Sequence, residues 1–253
     1  SGPGSIAASS SVESNGVFDL SRAWAQVSIK DLRGTGFVNL GGQNLRITDG
    51  SSTFSGNILD GGEYQGIGGS VTIAGGTPTF AGENFSTGGT SVLGGSTLNL
   101  TGTIIGNLTI ASGASFNTTG GYSVARGSML NNAGTFNSPS GVGFLNHGIA
   151  INTGAITSDI LNTGSFLNNG TLTGAFANTG VLSGTGILTG TLANTGTVAP
   201  GTPYGTMTVN GRYTQASTGA FQVAVFPSGQ AGRLNVIGAT GTASLAGSVL
   251  AQI

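Results

Sequence analysis

Cysteine is absent from this chain of 253 residues, which removes disulfides, thiol chemistry and cysteine-based metal sites. Charge is nearly absent as well: seven Lys and Arg stand against eight Asp and Glu, 6% of residues where a soluble globular domain carries about 25%. Ordinary enzyme domains do not have that composition. No stripe of basic residues exists to hold a phosphate backbone, so nucleic acid is excluded as a partner. The single lysine, Lys30, has no G-x-x-x-x-G-K before it, so the glycines do not form a phosphate loop. The single histidine, His147, is the one base a Ser-His-Asp triad could use, and no G-x-S-x-G elbow supplies a nucleophile. Gly61-Gly62-Glu63-Tyr64-Gln65 lacks the G-G-x-G-x-D pattern of calcium-binding rolls, and neither a metal nor a cofactor is expected. Six prolines exclude collagen. No apolar run approaches the roughly 18 residues of a membrane helix, so direct membrane insertion is not expected.

What is present is glycine, 49 residues of it, with 37% apolar residues and a net charge of -1, too apolar and too neutral for intrinsic disorder. Ser1-Gly2-Pro3-Gly4-Ser5 reads as a remnant of an expression vector, and residues 1–11 are set apart as that remnant and a flexible N-terminus.

The middle of the chain repeats. Residues 145–160 read LNHGIAINTGAITSDI, residues 161–176 LNTGSFLNNGTLTGAF, residues 177–192 ANTGVLSGTGILTGTL, and ANTGTVAPG continues from Ala193. Asn146, Asn162, Asn178 and Asn194 each begin an Asn-x-Gly triplet at a spacing of sixteen, and Asn152 and Asn168 begin a second triplet six residues later. Asn and Gly reach positive φ with little steric cost, so each triplet is expected to be a corner with its asparagine in that region. Segments of about three to six residues rich in Thr, Leu, Ile, Val and Phe lie between corners and suit strands. A repeat this short buries its apolar face only by stacking on copies of itself. The expected fold is therefore all-β, a single elongated parallel β-solenoid, with these six asparagines stacked in ladders whose amides bond from turn to turn. Coils occupy residues 12–200. Residues 201–253, with apolar alternation at Phe221, Val223 and Val225 and at Leu234 and Val236, form a C-terminal subregion with longer strands and the densest burial.

The run SIKDLRGTGFVNLGGQNLRITDGSSTFSGNI resembles the autotransporter-associated β-strand repeats of bacterial type V secretion passengers. The tail from Ala199-Pro200-Gly201 through GTMTVNGRYTQ to RLNVIG resembles the segment that such proteins place before their outer-membrane β-barrel. The resemblance implies a right-handed β-helix, exported by a Gram-negative bacterium to the cell surface, with residues 201–253 as a folding nucleus. The chain's own C-terminal barrel and a host-surface protein or glycan are the implied partners. It implies a non-catalytic, monomeric adhesin or stalk; the alternative is the stalk of a longer passenger with an upstream enzymatic domain such as a serine protease. A polysaccharide-cleaving β-helix would need clustered carboxylates with Arg or Lys, which the near lack of charge after Glu83 opposes.

All charged residues except Arg126, Asp159, Arg212 and Arg233 lie at or before Glu83, and the one tryptophan, Trp24, lies among them. Trp24 with Arg22, Lys30, Arg33 and Arg46 is a candidate binding surface, because Trp and Arg anchor interfaces. The same residues could instead be a solvated end cap of the solenoid.

Overall fold

The computed structural model describes residues 6–139, 141, 143–201 and 203–252, so Ser1-Gly2-Pro3-Gly4-Ser5, expected to be a remnant, lies outside the described residues. Among those described, every regular element is a strand, and no helix is long and apolar enough to cross a membrane. Nearly all pairing is parallel between strands of successive turns, which makes the fold an all-β parallel β-solenoid. Two compact units divide the chain, Ser1–Tyr122 with Ala133–Asn137, and Ser123–Asn132 with Ser138–Ile253.

The first unit has three strand faces. One stacks Val17–Asp19, Phe37–Asn39, Asn57–Leu59, Glu83–Phe85 and Thr103–Ile104; a second stacks Val27–Ile29, Asn44–Ile47, Ser70–Ile73, Gly89–Val92 and Leu108–Ile110. The third runs from Thr53–Phe54 to Thr135–Asn137. Alternation along each short strand sends one residue in and the next out. Inward residues then stack in columns: Ile29, Ile47, Ile73, Val92 and Ile110 stand over one another, all sealed from solvent. Each such side chain contributes about 1.5 to 3 kcal/mol by burial. The same column measures the turns, which take 18 or 19 residues except between Ile47 and Ile73, where the turn takes 26.

In the second unit, from Asn146 to Pro200, the turn shortens to sixteen residues. Asn152, Asn168, Gly184 and Pro200 stand in register on one face, and Asn146, Asn162, Asn178 and Asn194 on another. Phe166 packs on Phe144 and Phe176 at centroid separations of 6.1 and 5.2 Å. Further on, two faces merge: Thr171–Thr173 and Phe176–Asn178 both pair with the single strand Ile187–Asn194, which pairs with Gly205–Gln215 and that with Gly232–Ser244. The bend is carried by Gly174, Gly190 and Gly211, at φ of 138°, 139° and 148°, a region L side chains avoid.

The long strands expected after residue 201 are thus present, but their burial differs from the expectation. Phe221, Val223, Leu234 and Val236 are half-buried, and Val225, Leu245, Val249 and Leu250 are exposed. Ala220–Ala224 and Ser248–Gln252 pair with each other, and nothing among the described residues covers the far side of the last turn, so inward side chains there have neighbours on one side only.

Candidate functional site

The asparagines end their strands facing inward, and all six are buried. Asn146 Nδ2 donates to Asn162 Oδ1 at 2.7 Å, Asn162 to Asn178 and Asn178 to Asn194 at 2.8 Å each. The second hydrogen of each amide goes to a backbone carbonyl of the following turn, that of Ser165, Val181 or Thr197. A parallel ladder does the same from Asn132 through Asn152 to Asn168, at 2.8 Å per step. Gly184 ends it. After Asn194 the register position passes to Gln215, which accepts from Tyr213 Oη at 2.5 Å and donates to Ala246 O at 2.7 Å. Burial pushes the Tyr213 phenol up to about 12, tempered by Asn194. A third ladder was not read from the sequence: Asn137 donates to Asn117 and Asn117 to Asn99, at 2.9 and 3.0 Å.

The expected positive φ at the triplet asparagines is not found. Gln65 is the sole non-glycine with positive φ among the described residues, and the triplet glycines Gly164, Gly180 and Gly196 are not in that region either. Those glycines are needed for a different reason. A Cβ on Gly164 would stand 2.2 Å from Gly148 O, and one on Gly180 would stand 2.1 Å from Gly164 O. The turns are stacked backbone to backbone at that corner, leaving no room for a side chain.

His147 takes the corner position that Thr163 takes one turn on, and its Nδ1 lies 2.7 Å from Thr163 Oγ1 at the surface. Its partner is a hydroxyl of the ladder corner.

The charged end has a more specific geometry. The 26-residue turn carries Gly61-Gly62-Glu63-Tyr64-Gln65-Gly66-Ile67, whose ends are tied by Gly61 N–H to Gly66 O at 3.0 Å and by Gly68 N–H to Asp60 Oδ2 at 3.0 Å. This loop folds back onto the turn containing Asp19 to Ser28. Glu63 N–H donates to Asp19 Oδ2 at 2.8 Å and Tyr64 N–H to Ser21 Oγ at 3.1 Å. Arg22 forms an ion pair with Glu63 and lies over the Tyr64 ring, 4.8 Å from its centroid. The Ser21 hydroxyl first, then the N–H groups of Glu63 and Ser21, hold the Asp19 carboxyl below the usual carboxylate range.

Beside this network lies a groove of about 630 Å³ lined by Trp24, Arg22, Asp19, Leu20, Gln26 and Ser28, among others. Trp24 is 98% exposed. Of the five residues expected to form a binding surface, the structure brings Trp24 and Arg22 to this groove. Lys30 is exposed just beyond the Val27–Ile29 strand. Arg33 lies on Leu32–Arg33 and pairs with Glu13 at 2.9 Å, while Arg46 stands in register with Ser28 on the neighbouring strand. These three do not line the groove. Asp19, Glu63, Tyr64 and Gln26 complete the site and were not singled out from sequence. The surplus of residues between Ile47 and Ile73, with its glycines, is the signal that marks the loop.

No family model, no curated protein and no solved structure matches this chain.

Proposed function

We propose that the chain is a non-catalytic, surface-exposed passenger domain of a bacterial autotransporter, acting as an adhesin or stalk carried by its own outer-membrane β-barrel. The observation that carries this reading is the parallel stacking of low-charge turns, with the run resembling passenger repeats laid out from the Val27–Ile29 strand to the Asn57–Leu59 strand as successive turns of one solenoid. A chain free of cysteine can be threaded across a membrane without a disulfide closing a loop on the way. The non-catalytic part of the reading draws on His147, whose ring nitrogen is engaged by a threonine hydroxyl.

The test is surface display. Expressed from its full reading frame in a Gram-negative host, this segment should be labelled by antibody and cut by external protease on intact cells. Retention in the periplasm or cytoplasm with an intact outer membrane would overturn the reading.

A further inference from the structure

We infer that the groove beside Trp24 is a binding site for an uncharged saccharide, with the indole as its stacking platform. The inference deepens the adhesin reading and rests on it for its biological setting; the chemistry rests on the groove. Trp24 is the one tryptophan of the chain and is almost wholly exposed, although an indole is among the largest apolar surfaces a side chain can bury. The turn that presents it is held: Leu20 N–H donates to Asn39 O at 2.7 Å, Ala23 N–H to Leu20 O at 2.8 Å, and Ser21 N–H to Asp19 Oδ1 at 2.8 Å. The backbone beneath the indole is thus held, so presenting the aromatic face to a ligand requires no rearrangement of the turn.

The other walls say which ligand. Trp24 and Gln26 lie on the bent segment that leads into the Val27–Ile29 strand and Ser28 on that strand, and all three line the groove. The Gln26 amide and Ser28 hydroxyl lie within 3.3 Å of each other, and the Asp19 carboxylate lies on the same groove. The groove's own lining carries one charge of each sign, Arg22 and Asp19, and so has no net charge. A partner with net charge of either sign meets a like charge and gains no field to bind in. The ligand that fits is neutral, with one apolar C–H face for the indole and an edge of hydroxyls for the amide, hydroxyl and carboxylate. A pyranose has that pattern.

Because Trp24 is the sole tryptophan, intrinsic fluorescence reads this site alone. The purified chain is titrated with neutral oligosaccharides of glucose, galactose, mannose and N-acetylglucosamine in α and β linkage, with hexagalacturonate as the acidic probe and hexalysine as the cationic one. The expected result is that a neutral oligosaccharide shifts Trp24 emission to shorter wavelength and shields it from acrylamide. By calorimetry, Trp24→Ala should lower that affinity about tenfold or more, whereas Arg33→Ala should change it less than about twofold. Trp24 is almost wholly exposed, so the variant is expected to keep its fold, and unchanged circular dichroism checks this. Three results would overturn the proposal: no response to any neutral sugar, tighter binding of hexagalacturonate or hexalysine, or an emission shift driven by protein concentration alone, which would mark the patch as a contact between copies. Sugar binding without surface display sinks the passenger reading alone; display without sugar binding sinks the groove alone.

Discussion

Asn162 Nδ2 and Asn178 Oδ1 are 2.8 Å apart inside the solenoid, sixteen residues apart in the chain and one turn apart in space. Each interior asparagine is donor to the turn after it and acceptor from the turn before it. Replacement of one therefore leaves polar groups orphaned on two neighbouring turns.

Asn178→Val removes the acceptor of Asn162 Nδ2 and the donors to Asn194 Oδ1 and Thr197 O. An unsatisfied buried polar group costs about 1 to 3 kcal/mol, so denaturant midpoints should fall clearly. Asn178→Asp should be worse at neutral pH, because a carboxylate cannot donate and is buried without a cation. Its folded pKa would lie above the unfolded value of about 3.9, so its stability relative to the parent should recover on acidification and decline as pH rises through the folded pKa. A flat difference from pH 3 to 7 would contradict the ladder.

The first rung should be cheaper. Asn146 Oδ1 is buried with no hydrogen-bond partner, and the preceding turn is represented there by Val124, whose carbonyl takes the His147 N–H. Asn146→Val breaks one ladder bond where Asn162→Val breaks two, and it also removes an unsatisfied acceptor. It should cost about 1 kcal/mol less than Asn162→Val in matched unfolding titrations. Equal losses would mean that Asn146 Oδ1 has a partner in solution.

The repeat at 145–196 is readable because sixteen-residue turns bring Asn146, Asn162, Asn178 and Asn194 back to one inward spot, where each asparagine is the hydrogen-bond partner of the next. Their conformation is not legible from the triplet: Asn-x-Gly suggests a turn, whereas burial alternates through Ile160–Asn162 and Phe176–Asn178 and makes asparagine the last strand residue. In the first unit the turns change length, so no fixed period emerges although the columns are as strict. The Trp24 groove depends on contacts such as Asp19 with Glu63, 44 residues apart, that no local pattern encodes. The alternation around Val249 was legible, but its exposure depends on what stacks beyond it.

Gly164 and Gly127 should lose stability to different extents, and for different reasons, on the same change. Gly127 has φ of 82° with nothing within 4 Å of a new Cβ, so Gly127→Ala meets only the left-handed penalty of about 1 to 2 kcal/mol. Gly164 has ordinary φ, yet its Cβ would fall 2.2 Å from a backbone oxygen. Two stacked turns must move apart, and Gly164→Ala should lose about 3 kcal/mol or more. Thermal unfolding of the two variants side by side tests this; a milder Gly164→Ala would mean that the turns are less closely stacked.

Acid should weaken the first unit through Asp31. Burial would raise its pKa, but the Ser52 hydroxyl and the N–H groups of Ser51 and Ser52 outweigh that and hold it below the usual carboxylate range. The folded pKa is thus below the unfolded one of about 3.9, so the stabilisation is complete above that pH and lost as pH falls through the folded value. Asp31→Asn should cost about 1 to 3 kcal/mol at pH 7 and flatten the decline below pH 4. An unchanged acid limb in the variant would assign that decline to other carboxylates.

The last turn should open first. Gly232–Ser244 is exposed over most of its length and Ser248–Gln252 throughout, with Leu245 and Val249 at 70% and 72% exposure, whereas Val198 and Val209 two turns or fewer earlier are fully buried. In a stack stabilised by neighbour interfaces, a terminal turn has one interface where an interior turn has two. Local opening free energy should therefore rise from Ser248–Gln252 through Ala220–Ala224 to Thr197–Pro200, reflecting burial of successive members of one column: Val249, Phe221 and Val198. Native-state hydrogen exchange on this chain should show amides of Ser248–Gln252 exchanging fastest, those of Ala220–Ala224 next and those of Thr197–Pro200 slowest. Slow exchange at Ser248–Gln252, equal to that at Thr197–Pro200, would show that something covers the end in solution. The alternation of Phe221, Val223, Leu234 and Val236 would then stabilise the chain as its density in the sequence suggests.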